Sequence, residues 1–150
     1  MKQQLLNRFA TLSLLAFVAL FASCGGKDDE DPKTITDYLS TSKWTMEEMT
    51  SDDLDDLSLA LYEAFFEGYE ITYKADGTYT LNLPLLGEFG SSEGVWELSS
   101  DQNVIFHEKG TEDEESYTIK KINGGELHLE FTIEDDESKD SYTVLMKLRH

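Results

Sequence analysis

Cys24 is the only cysteine in this 150-residue chain, and its thiol is the most nucleophilic side chain available. An internal disulfide is excluded for want of a partner. The surroundings decide its chemistry. A basic start (Lys2, Arg8) leads into an apolar run of about 15 residues from Phe9 to Ser23, with small Ala22 and Ser23 just before the cysteine. A charged start, about 7–15 apolar residues and small residues at the cut are the parts of a secretory signal peptide. The run falls short of the roughly 20 apolar residues that a membrane-spanning helix needs. Residues 1–23 are therefore expected to be cleaved, leaving Cys24 as a new N-terminus whose sulfur can carry lipid. The alternative is an uncleaved anchor with an incidental cysteine.

Other candidates for chemistry are sparse. An enzyme needs a nucleophile beside a base, paired carboxylates in a cleft or a metal site. His107, His128 and His150 are the only histidines; the first two fall on the polar parity of their strands and are expected to be exposed. Acids cluster in Glu112-Asp113-Glu114-Glu115 and Glu134-Asp135-Asp136-Glu137. Both runs lack the alternating ligands and central glycine of a calcium loop. Solvated hairpin loops are the plain reading, and weak surface calcium binding is the other. No phosphate-binding loop, dinucleotide fingerprint or metalloprotease helix is present. The expectation is a non-enzyme with no catalytic residue, no metal and no cofactor.

Ala22-Ser23-Cys24 resembles the lipobox of bacterial lipoproteins, with Phe21 in the place usually held by leucine. Lys27, Asp28, Asp29 and Glu30 resemble the acidic export signal of Bacteroidota-type lipoproteins. That resemblance implies lipid anchoring through acyl chains such as palmitate on Cys24, at the outer face of the outer membrane. A plain tether, leaving the protein on the periplasmic face, is the alternative. Each buried methylene contributes about 0.8 kcal/mol and one chain alone binds marginally, so stable anchoring needs more than one. Residues 24–33 are glycine-rich and then charged, cannot bury a core, and span at most about 30 Å.

Removing residues 1–23 takes away Lys2 and Arg8 and no acid, which leaves ten basic residues against 31 acidic ones and a net charge of −21. Nucleic-acid binding needs basic clusters that this chain lacks. Its charge serves solubility and spacing and would be repelled by anionic lipid, so any membrane attachment falls to the acyl chains.

Residues 34–150 are long enough for one domain. Thr34 to Leu39 reads as a helical turn, and Lys43 to Thr50 as a first strand carrying Trp44, Met46 and Met49. The period then changes. Asp52 and Asp53 are suitable caps. Leu54, Leu57, Leu61 and Phe65 follow at helical spacing, with a less clean second stripe of Leu59, Tyr62 and Phe66, before Gly68 ends the helix. The first stripe is expected to pack inward, either as a plain lid or as a gate over a cavity. From Tyr69 onward the period is two. Tyr73 precedes the Asp76-Gly77 turn, and Tyr79 and Leu81 follow it. Further on come Trp96, then Val104 and Phe106 after a turn at Ser100–Asn103. Tyr117 and Ile119 follow, with a parity slip before Ile122, then Leu127 to Ile133, and last Tyr142 to Leu148. Clean alternation means one dry face and one wet face, the antiparallel case. About eight strands joined by short turns make a meander, and closure removes its exposed edges. The expected fold is mainly β: an eight-stranded antiparallel barrel with one helix inserted between strands one and two. Trp44, Leu61, Phe65, Tyr73, Tyr79, Leu81, Trp96, Phe106 and Phe131 are the candidate interior or ligand-pocket residues. Their bulk predicts a narrow or closed pocket.

Tyr38-Leu39, Trp44, Tyr73-Lys74-Ala75-Asp76-Gly77-Thr78-Tyr79, Gly94-Val95-Trp96 and the paired final strands together resemble the lipocalin-like (calycin-type) domains of Bacteroidota-type outer-membrane lipoproteins. The Gly-x-Trp that opens the first strand in calycins reads Ser42-Lys43-Trp44 here, so only Trp44 carries over, as the residue that closes one end of the barrel. The chain ends in a strand rather than the C-terminal helix of true lipocalins. The resemblance implies a binding module for a small apolar or amphipathic ligand. The alternative is an accessory or structural lipoprotein that meets another envelope protein and has no ligand cavity.

Overall fold

The computed structural model describes residues 33–135 and 139–150. The expected signal peptide, Cys24 and the export signal Lys27, Asp28, Asp29 and Glu30 lie outside the described residues. Eight strands form one closed antiparallel barrel in chain order: β1 (Trp44–Thr50), β2 (Glu70–Tyr73), β3 (Thr78–Asn82), β4 (Ser91–Leu98), β5 (Val104–His107), β6 (Glu115–Ile122), β7 (Glu126–Glu134) and β8 (Ser141–Arg149). β8 returns to pair with β1. Period-two alternation supplies each strand with one apolar side, and closure turns all those sides inward. The meander and its inserted helix stand as the alternation predicted them.

Two bulges correct the parity where it would otherwise fail. In β1 the register shifts between Met46 and Glu48, so Met46 opposite Leu148 and Met49 opposite Met146 both face the interior. In β6 the shift lies between Ile119 and Lys121, so Ile119 opposite Leu129 and Ile122 opposite Leu127 both face inward. An extra residue in one strand re-aims the side chains that follow it. At the first hairpin Gly77 adopts φ +84°, which only glycine takes at little cost. The Asp76 carboxylate there accepts hydrogen bonds from the Thr78 amide and hydroxyl.

One end of the barrel is plugged. Helix α1 (Ile35–Leu39) starts at Thr34, whose hydroxyl and amide form a reciprocal capping box with Asp37. The helix delivers Leu39 and its carbonyl to Trp44. Both residues are fully buried, and Trp44 Nε1 donates to Leu39 O at 3.0 Å. His150 meets the Trp44 ring edge-on at 5.0 Å between centroids.

Helix α2 (Asp56–Phe65) lies across the other end, between β1 and β2. Its N-cap is Asp55, whose carboxylate accepts from the Leu57 and Ser58 amides, rather than Asp52 or Asp53. Asp53 instead accepts from Thr143 N and Ser51 Oγ donates to Thr143 O, tying the approach to the helix onto β8. Of the stripe expected to pack inward, Leu54, just before the helix, does pack against the core, but the three members within the helix face water. Leu57 is 72 % exposed, Leu61 65 % and Phe65 38 %, while Leu59, Tyr62 and Phe66 pack against the core. The helix is thus turned over relative to the expectation. Both stripes are apolar enough to serve; the Glu63 carboxylate on the helix accepts from Met49 N of β1 at 3.2 Å, holding the observed face toward the barrel. A 3₁₀ turn at Pro84–Phe89, not foreseen from the sequence, joins β3 to β4 and leaves Leu85, Leu86 and Phe89 exposed.

Candidate functional site

Near the end of α2 a cavity of about 700 Å³ opens from the barrel interior to the surface, so this end of the barrel is not closed by its aromatic side chains. Tyr69, Tyr79, Tyr117 and Phe131 form its aromatic wall, with Phe66 from the end of α2 above and Leu81 and Met146 beside them. A cavity of this size is in the range that holds one small organic molecule.

The cavity also reaches outward-facing residues, including Ser116, Thr118, Glu130 and Thr132. The register explains this. The β6–β7 ladder runs only from Ile122 opposite Leu127 to Thr118 opposite Glu130. Beyond that point β6 continues against β5 down to Glu115, and β7 continues against β8 out to Glu134. The two strands fork, and the cavity runs out through the fork.

At the inner wall stands His107, only 4 % exposed. It shares a 3.0 Å hydrogen bond between Nε2 and Tyr73 Oη, stacks on Tyr79 at 4.2 Å and contacts Tyr117. Burial drives its pKa from 6.5 down to about 4, because a charged imidazole loses its hydration there. The ring is therefore neutral at pH 7. Glu115 Oε2 approaches His107 Nδ1 at 3.9 Å, too far for a hydrogen bond, and accepts one from Tyr117 Oη at 2.6 Å. Burial raises the pKa of Tyr69, Tyr73 and Tyr117, so all three stay protonated. Tyr79 owes its position to Gly94, the residue opposite it in β4. A Cβ on Gly94 would lie 2.0 Å from Glu108 Oε1 and 2.7 Å from Tyr79 Cε1, so glycine leaves the room that the carboxylate and the ring both use.

The sequence-predicted residues therefore divide. Tyr79, Leu81 and Phe131 line the cavity. Trp44, Tyr73 and Trp96 are buried beside or below it as core; the Trp96 ring meets Tyr73 at 5.2 Å, and its Nε1 donates to Lys74 O. Leu61 and Phe65 lie outside on the helix's wet face. Phe106 is also outside, on the opposite face of β5 from buried Ile105 and His107, with Lys109 Nζ 4.6 Å from its ring centre. The expectation that His107 is exposed and Phe106 internal is thus reversed. The signal for the true parity was already present: a turn at Ser100–Asn103 pairs Leu98 with Ile105 and Trp96 with His107, and cross-strand partners share a face. His128 stays on the outer parity. Among the described residues, no group of three or more His, Cys, Asp or Glu side chains is placed to hold a metal ion, and no helix is long and apolar enough to cross a membrane.

The sequence model for lipocalin-like domains matches residues 41–129, more than half of the chain. No curated protein matches. Among solved structures, a DUF4847 family protein from Bacteroides vulgatus is similar at 16 % identity, with 75 % of this chain and 96 % of that chain covered and a TM-score of 0.44.

Proposed function

The chain belongs to the lipocalin-like domain family, and on that premise we propose that it is a non-enzymatic binding module that takes one small apolar or amphipathic molecule into its barrel. The observation that carries this reading is the cavity of about 700 Å³, walled by aromatic rings and open through a fork in the barrel wall. Catalysis finds little support in the same place. The one buried imidazole is spent on Tyr73, and the nearest carboxylate does not reach it. The alternative of a purely structural lipoprotein presupposed a filled interior, and the cavity counts against it.

The setting we propose for this module is the outer membrane, with acyl chains on Cys24 as the anchor and Lys27, Asp28, Asp29 and Glu30 directing it to the cell surface. The support is the sequence pattern around Cys24. Cys24→Ala should release the protein from the membrane fraction; continued attachment in high salt would refute the anchor. Replacing Asp28, Asp29 and Glu30 by Ala should abolish protease access on intact cells.

The binding role is tested by native mass spectrometry of the protein purified without detergent. A co-purifying small molecule that raises the melting temperature when added back supports it. Repeated absence of any such molecule, with no stabilisation by a panel of apolar compounds, refutes it.

A further inference from the structure

The charged residues at the cavity are all of one sign. Glu114, Glu115, Glu130 and Glu134 line it, and among the described residues no lysine or arginine does. Glu130 is paired with Lys120 at 3.1 Å on the outer side. Glu114 accepts from the Gly110 amide and Glu115 from the Tyr117 hydroxyl, and among the described residues neither has a lysine or arginine partner. Behind these carboxylates the wall is made of aromatic faces. The Tyr69 hydroxyl also has no hydrogen-bond partner among the described residues, although its side chain is only 8 % exposed and lines the cavity. An unpartnered hydroxyl on a residue so largely buried, at the cavity wall, is a place for a ligand atom or a water.

We propose that the cavity selects a cationic amphiphile: an apolar or aromatic body carrying one amine or quaternary ammonium head, with molecules of the same size ending in carboxylate, sulfate or phosphate rejected. This rests on the binding-module reading and narrows it. An anionic head at the mouth would sit beside exposed carboxylates with no basic side chain to receive it, and one drawn deeper would be a buried charge that hydroxyl donors alone do not offset. An ammonium head meets the opposite conditions. The faces of Tyr79, Tyr117 and Phe131 attract cations through their ring quadrupoles. Glu114 and Glu115 supply the counter-charge at the mouth, and the neutral imidazole of His107 adds no repulsion. The Tyr69 hydroxyl is free to meet a polar atom along the ligand body.

The test uses the processed chain from residue 24 carrying Cys24→Ser, so that no acyl chain competes for the cavity. Three probes share one decyl tail: decyltrimethylammonium, decanol and decanoate. Calorimetric titration below their micellar concentrations should rank them in that order, with the ammonium at least about tenfold tighter than the carboxylate at low salt and the gap shrinking as salt is added. Glu114→Gln with Glu115→Gln should close most of the gap while leaving decanol binding unchanged. Glu112→Gln with Asp113→Gln, on the same loop but away from the cavity lining, should not. If all three probes bind equally, or decanoate binds best, the charge selection is wrong while the binding module stands. If the gap closes equally with the Glu112 and Asp113 changes, the general negative field of the protein explains it and the proposal falls. If no probe binds, the binding-module reading fails and takes this inference with it. Should the Glu114 and Glu115 variant not fold, the single changes Glu114→Gln and Glu115→Gln are each compared with Glu112→Gln, and a gap that narrows no more with either of them than with Glu112→Gln overturns the proposal.

Discussion

His107 makes the stability of this barrel depend on pH in a direction and range that can be worked out. Its folded pKa is depressed to about 4 by burial, whereas an unfolded chain leaves histidine near 6.5. Between those values the unfolded state binds the extra proton, so acid favours unfolding. The His107 contribution is fully present above pH 6.5, is lost as pH falls toward 4, and changes no further below that. Its full size is about 3 kcal/mol, and about 2 kcal/mol is gone by pH 5. Several groups face the imidazole. Tyr73 from β2, Tyr79 from β3 and Tyr117 from β6 are neutral throughout this range. The Glu115 carboxylate would favour protonation, but at 3.9 Å and 64 % side-chain exposure it is screened and does not outweigh burial. The assay is urea denaturation at pH 7.5 and pH 5 for the parent and for His107→Gln, which keeps a polar atom near the Tyr73 hydroxyl but cannot titrate. The many acids titrate in both proteins and cancel in the difference. The parent midpoint should fall by about 1–2 M more than the variant's on acidification. Parallel profiles, agreeing within about 0.5 kcal/mol, would refute the claim that burial holds this imidazole neutral.

Gly94→Ala should destabilise by about 1–3 kcal/mol, because its Cβ would displace the Glu108 carboxylate that accepts from Val95 N and would meet the Tyr79 ring, already stacked on His107; thermal or urea unfolding checks it. Leu61→Ala should change stability by less than about 0.5 kcal/mol, whereas Phe66→Ala, which removes the ring roofing the cavity, should cost about 1–3 kcal/mol. Equal effects from the two would mean that the helix is seated on its other face. Trp44→Ala should cost about 3–5 kcal/mol by emptying the plugged end and losing the bond to Leu39, seen as a large drop in melting temperature.

Much of this architecture was legible because strand alternation is a local signal that closure then amplifies. Even the break in β6 could be read, since Ile119 and Ile122 cannot share a face without a bulge. Two features resisted for one physical reason: each offered two apolar parities. Val104 and Phe106 compete with Ile105 as the inward set of β5, and helical stripes through Leu61 and through Tyr62 compete in α2. The first tie is broken by register across a turn, so counting back from Ser100–Asn103 to Trp96 resolves it. The second is broken by tertiary hydrogen bonds, from Met49 N to Glu63 on the helix and, just before it, from Ser51 Oγ to Thr143 O and from Thr143 N to Asp53, which no local pattern encodes. The cavity was hidden for a related reason. The bulk of the aromatic side chains points to a filled centre, yet Trp44, Tyr73 and Trp96 are buried in the core and the space near the end of α2 is left open.

The fork between β6 and β7 bears on traffic. On the binding role proposed above, a vessel with a split seam needs no hinged cover, and its contents would exchange while α2 stays seated. The nine-pair zipper of β7 with β8 anchors one lip of the slit, and the shorter β5–β6 ladder holds the other. Loading and discharge should then be paced by small sideways excursions of the β6 lip, so that a clamp across Ser116 and Thr132 would slow both without altering how tightly the cargo is held.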